Sequence, residues 1–250
     1  MRAIRFVFVA AILAIPMHVQ PIAADALQID HVILGISELD RGIEEFQRLT
    51  GVRPVAGGSH PGRGTHNALA SLGSGRYLEI LAPRPDAPTS EFVDGLGKLT
   101  TMTPIGWAVS TTDVDATMRT LQQWGYGLSD RKPGSRERTD GSKLEWVSFD
   151  ITTPGLDEAP FVISWNPASR HPSTDSPTGC SLETLTIELP AQRPSRQLLT
   201  RLNVGVQIKD GKQARSILSL RCPKGVVHFG ANGTDVRYFS SGARTRDSIA

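Results

Sequence analysis

Apolar residues recur at Leu39, Ile43, Phe46 and Leu49, and again at Val114, Met118, Leu121 and Trp124. Steps of three and four put each set on one stripe of a helix. Gly51 and Gly125 follow as natural stops. The first helix is expected to begin after Ser37, with Asp40 three residues on in a loose form of the capping box. A short apolar run precedes each helix, at 29–32 and 105–108, and matching the two sets His31 against Trp107. Further strands are expected at 52–55, 67–72 and 76–81 after the first helix, and at 127–130, 144–150 and 160–165 after the second.

The same order recurs a third time. Residues 182–189 alternate as a strand, 194–202 suit a short helix, and 226–229 form a last strand. Between them, 204–208 and 213–221 flank Asp210-Gly211, a hairpin signal. Segments rich in turn formers, PRPDAPTSEF and NPASRHPSTDSPTG, separate the units. The chain therefore reads as α+β, built from tandem βαβββ modules at about 28–85 and 104–170, with a third module at 180–250.

Composition narrows the class. With 250 residues, 39% hydrophobic and 21% charged, the chain is ordinary for a globular protein. A formal charge of +2 with scattered Lys and Arg offers no basic stripe for nucleic acid. The segment RKPGSRER near residue 131 reads as a solvated loop. At the N-terminus, Arg2 and Arg5 precede an unbroken apolar run at 6–15, and Ala24-Asp25-Ala26 matches a signal-peptidase site. The expectation is an export signal over 1–26, a mature chain from near Leu27, and a periplasmic or secreted protein. No second long apolar run follows, so no membrane contact is expected after cleavage. Cys180 and Cys222 are the only cysteines, and the sequence leaves open one disulfide or two buried thiols.

The candidate chemistry sits between residues 29 and 85. His31 lies in the apolar run IDHVILGI, and Glu79 in YLEIL. A lone polar group in the middle of an apolar strand is costly unless it is paired, hydrogen-bonded or bound to a metal. Between them runs GGSHPGRGTHN, which carries His60, Thr65, His66 and Asn67. Its glycines would let backbone amides approach an anionic or carbonyl ligand. It has neither the ending of a P-loop nor a dinucleotide fingerprint. The chain also lacks G-x-S-x-G, H-E-x-x-H and a cysteine nucleophile in a helix context, which leaves hydrolase readings without support.

IDHVILGI, GGSHPGRGTHN, YLEIL and PFVISWNPASRHP together resemble the glyoxalase-like branch of the vicinal oxygen chelate superfamily, over roughly residues 28–175. The resemblance implies paired βαβββ modules curled around a small ligand and a divalent metal, Fe, Mn, Ni or Zn. In that family a metal chelates vicinal oxygens and stabilises an enolate-like intermediate. His31 and Glu79 would be first-module metal ligands. The second module has Trp107 in place of His31, and Ile163 or Ser164 in place of Glu79. His171 would supply a third ligand. Glu79 and His60 would carry the proton chemistry. Thr65, His66, Asn67, Arg84, Trp107 and Trp165 would contact substrate. Two functions follow: a metal-dependent lyase, isomerase or dioxygenase acting on a small vicinal-oxygen substrate, or a metal-free protein that binds a small molecule. A homodimer is compatible with either.

Overall fold

A computed structural model of the chain describes residues 27–137 and 141–230. The expected export signal and the last twenty residues of the third module lie outside them. The first half comprises β1 (Gln28–Gly35), α1 (Leu39–Thr50), β2 (Val55–His60), β3 (Thr65–Gly73), β4 (Arg76–Pro83) and a short α2 (Glu91–Gly97). The second comprises β5 (Thr103–Ser110), α3 (Val114–Gln123), β6 (Lys132–Glu137), β7 (Lys143–Phe149), β8 (Phe161–Trp165) and α4 (Pro172–Asp175). Their strands form one sheet in the order β2-β3-β4-β1-β5-β8-β7-β6. In each half the first strand pairs parallel with the last, and antiparallel pairing of β1 with β5 joins the halves.

Alternation along β1 decides what each face holds. Val32 and Leu34 turn to the main apolar core, together with Phe46 of α1 and Leu121 of α3. His31 and Ile33 turn to the opposite face, where a cavity lies. Both helices end as the sequence implies, at Gly51 (φ +83°) and Gly125 (φ +88°). The first helix starts differently from the capping-box expectation. Its N-cap is Glu38 with no side-chain cap, and Ser37 instead accepts a hydrogen bond from Arg41. The short α2 escaped the hydrophobic pattern, because its length shows little periodicity. Ser90 caps it by accepting from the Val93 amide, and Val93 and Leu96 are its buried residues.

Two stretches expected to be loops are strands. GGSHPGRGTHN is the end of β2, a 3-10 turn at Pro61–Arg63 and the start of β3. Likewise RKPGSRER supplies all of β6, while Leu128 makes only an isolated bridge to Ile151. As an edge strand, β6 tolerates Pro133 and its charges, because only β7 needs its backbone groups.

The third unit has β9 (Ser181–Leu189), α5 (Ser195–Leu202), β10 (Gln207–Asp210), β11 (Arg215–Cys222) and β12 (Gly225–Phe229). Its element order repeats β-α-β-β-β, yet its strand order is β10-β9-β11-β12, with the first strand inside the sheet rather than at an edge. The expected hairpin at Asp210-Gly211 is therefore not formed. β10 and β11 flank β9 on opposite sides, since β9 is the strand with buried positions to share. A Cys180–Cys222 disulfide joins the start of β9 to the end of β11. This sheet shares the main core with the first half, and Phe229 stacks on Phe46 at 5.9 Å between ring centres. Lys224 donates to the carbonyl of Arg48 in the last turn of α1, where a cation suits the helix dipole.

Candidate functional site

Parallel pairing sets His31 beside Tyr77 and Ile33 beside Glu79, so His31 and Glu79 share a face. Across β3, Leu69 pairs with Glu79 and Asn67 with Leu81. His60, at the end of β2, pairs with Thr65. These side chains line a cavity of about 410 Å³. The second half closes it with Phe161, Ile163 and Trp165 of β8, Trp146 of β7, and Lys132 and Arg136 of β6. The size is at the small end of ligand sites.

Glu79 is buried, with Oε1 accepting from Asn67 Nδ2 at 2.6 Å and Oε2 3.8 Å from His31 Nε2. Burial pushes its carboxyl up, but His60, His31 and the Asn67 hydrogen bond outweigh this and hold it below its ordinary value. Burial is also the main influence on His60 and pushes the imidazole down, which favours its neutral form near pH 7. His60 Nδ1 lies 3.1 Å from Thr65 Oγ1. Burial pushes the Tyr77 phenol far up, so it stays protonated, and its ring stacks on His31 at 4.5 Å.

Behind His31 stands Asp30, 1% exposed. Its Oδ1 accepts from His31 Nδ1 at 2.6 Å. Its Oδ2 accepts from Trp165 Nε1 at 2.9 Å and from His171 Nε2 at 3.2 Å. Burial raises the Asp30 carboxyl, and the His171 and His31 hydrogen bonds more than reverse this, leaving it far below the carboxylate range. With Nδ1 committed to Asp30, His31 turns its Nε2 edge toward Glu79. Sequence reading missed Asp30; a carboxylate next to the histidine of an apolar strand was the available signal. It also missed Arg136, in a segment without apolar alternation, and Trp146, inside the strand expected at 144–150.

His31, His60, Thr65, Asn67, Glu79 and Trp165 therefore meet at the cavity, Trp107 borders it, and the structure places His66, Arg84 and His171 elsewhere. His66 pairs with Ala82 on the opposite face of β3. Arg84 forms a salt bridge with Asp86 outside the cavity. Trp107 borders the cavity, but it pairs with Val32, belongs to the core cluster, and donates Nε1 to the Glu158 carbonyl. His171 caps α4: its Nδ1 accepts from the Ser173 amide, which leaves Nε2–H for Asp30.

The equivalence drawn between modules also shifts. The offset that carries Leu39, the first residue of α1, onto Val114, the first of α3, carries His31 onto Gly106 and Ile33 onto Ala108. Ile33 pairs with Glu79, and Ala108 pairs with Phe161, so Phe161 stands where Glu79 would be. Neither Gly106 nor Phe161 has a side-chain ligand atom. Among the described residues no group of three His, Cys, Asp or Glu is placed to hold a metal. His31 and Glu79 are left as the only two donors of the expected set, and this donor set does not fit a resident divalent metal.

Two βαβββ halves joined into one curled sheet that bounds this cavity define a glyoxalase-type domain of the vicinal oxygen chelate superfamily. The chain belongs to the family described as "Glyoxalase-like domain", whose sequence profile matches residues 29–203. Among solved structures, it is similar to a hypothetical protein from Staphylococcus aureus, at 17% identity over 81% of this chain and 98% of that one, TM-score 0.61. It is similar to methylmalonyl-CoA epimerase from Mycobacterium tuberculosis at 24% identity, over 56% of this chain and 88% of that one, TM-score 0.40. A hypothetical protein from Bacillus halodurans aligns at 11% identity over 58% and 96%, TM-score 0.41. No curated protein sequence matches the chain.

Proposed function

We propose that the cavity binds a small oxygen-bearing organic molecule and moves a proton on it, an activity of the lyase or isomerase type. The observation that carries this reading is Glu79, a buried carboxylate with one protein hydrogen-bond donor, lying beside the imidazoles of His31 and His60. Glu79 is the anionic base that accepts a proton from a carbon next to a carbonyl. Neutral His60 takes part in passing that proton on and returning it. Asn67 holds the carboxylate in place, and Asp30 holds His31. The aromatic walls, and the lack of a third metal ligand among the described residues, also favour a second reading, binding without turnover.

Exchange in heavy water separates the two. The protein is incubated with a panel of 2-oxo and 2-hydroxy acids, and the proton signal next to the carbonyl is followed by NMR. At least one compound that raises the melting temperature should lose that signal. Glu79→Gln should slow the loss by about 100-fold or more, in the range of general base catalysis, while the thermal shift persists. Chelator should leave the rate unchanged, and elemental analysis should find no stoichiometric metal. If every compound that stabilises the protein keeps its proton, proton transfer is refuted and the binding-only reading takes its place.

A further inference from the structure

The cavity is electrically graded from its buried end to its mouth. Glu79, His31 and Asn67 are buried at the inner end. The lining residues nearer solvent include the guanidinium groups of Arg63 and Arg136, while the lining carboxylates Asp150 and Asp157 are each held by a cation, Lys132 and Arg193. Arg63 is exposed on the turn after β2, and Arg136 is half-buried on β6. Arg136 reaches β2, where a β-carbon on Gly58 would lie 3.4 Å from one of its guanidinium nitrogens, and the charges of both Arg63 and Arg136 bear on the His60 imidazole. Flat aromatic groups stand around the space. Trp146 and Trp165 sit 5.5 Å apart between ring centres, and Tyr77 and Phe161 both approach His31. Gly134, which pairs with Trp146, leaves room for the indole, since a β-carbon there would collide with it.

A ligand must satisfy these features together. Its anionic group cannot sit at the inner end, where it would face the Glu79 carboxylate in a dry environment. At the mouth the same group meets the guanidinium charges of Arg136 and of Arg63, which lies over the Phe92 ring at 5.3 Å, a chemistry that matches a carboxylate. The section between is apolar and flat, and suits a ring or conjugated plane stacked on indole. We propose that this site selects a small planar aromatic or conjugated carboxylate, with its carboxylate at Arg63 and Arg136 and its ring along Trp146 and Trp165. The opposite end of the ligand then lies against Glu79 and His31. This names a substrate class for the activity proposed above and rests on that reading for turnover, but not for binding.

Tryptophan fluorescence tests it with three probes: 4-hydroxybenzoate, its methyl ester and succinate. The aromatic acid should bind, and should bind at least about tenfold more tightly than the ester, a difference of about 1.4 kcal/mol. Replacing Arg63 and Arg136 together by Gln should weaken the acid by about tenfold or more and leave the ester unchanged, removing the preference. Equal affinity for acid and ester, tighter binding of succinate, no binding of the acid, or a preference that survives the double substitution would each overturn the proposal. Binding of the aromatic acid with no proton exchange on any compound would refute the proton-transfer reading alone, so the two failures are distinguishable.

Discussion

Asp30→Asn removes one charge and leaves the shape of the side chain. The carboxylate accepts three hydrogen bonds, from His31, Trp165 and His171. An amide offers one accepting oxygen, and its NH2 would point at a second donor. Breaking a buried charged network in this way costs roughly 3–5 kcal/mol. For a chain of this size that is a fall of about 6–20 °C in melting temperature. The effect should depend on pH with a definite sign. The folded Asp30 carboxyl is held far below its ordinary value. Its stabilisation is therefore complete above the ordinary carboxylate value of about 4 and is lost as the pH falls toward the folded value. Thermal melts of wild type and Asp30→Asn from pH 7 to pH 2.5 should show a constant gap down to about pH 5 that narrows below about pH 4. Equal melting temperatures at pH 7, or a gap that does not narrow between pH 4 and pH 2.5, would show that Asp30 is not the buried anion organising His31, Trp165 and His171.

Two further outcomes follow from particular contacts. Gly57→Ala puts a β-carbon into Asn67 Oδ1 and 2.8 Å from Leu69 Cγ; calorimetry should show a loss of about 1–3 kcal/mol, with weakened ligand binding because Asn67 can no longer hold Glu79. Replacing Cys180 and Cys222 together by Ala opens a 42-residue loop, and chemical denaturation should read a loss of roughly 4 kcal/mol. An unchanged midpoint in either experiment would refute the corresponding contact.

The main helices and the two repeated halves were legible because burial writes a period into the chain. Phe46 and Leu121 recur at helical spacing, since each must face the core. His31 and Glu79 stood out for the converse reason, as polar groups in strands otherwise built to be dry. What was not legible depends on pairing between distant segments. Trp107 and His31 looked equivalent, and only the β1–β5 register shows that they point to opposite faces. A one-residue shift is invisible in composition yet reverses a side chain's direction. His171 looked like a ligand because its sequence gives no sign of the Ser173 amide that fixes its tautomer. β6 was hidden because an edge strand is not required to be apolar. The Asp210-Gly211 turn misled because β9 lies between the strands it connects.

The tie between the last sheet and the rest of the chain constrains how the protein can be cut. The family profile ends at residue 203, just after α5 and before β10, β11 and β12. A fragment ending there would leave Cys180 without its partner thiol and expose Phe46 where Phe229 had covered it. It would keep Arg193 and Ser195, whose hydrogen bonds hold the buried Glu158 in the β7–β8 connection, a segment that also borders the cavity. The helix bearing Ser195 would, however, have lost three of the four strands of the sheet beside it. Recombinant work on the binding pocket should therefore carry the chain through Phe229, because a cut at the family boundary loosens a wall of the pocket from outside it.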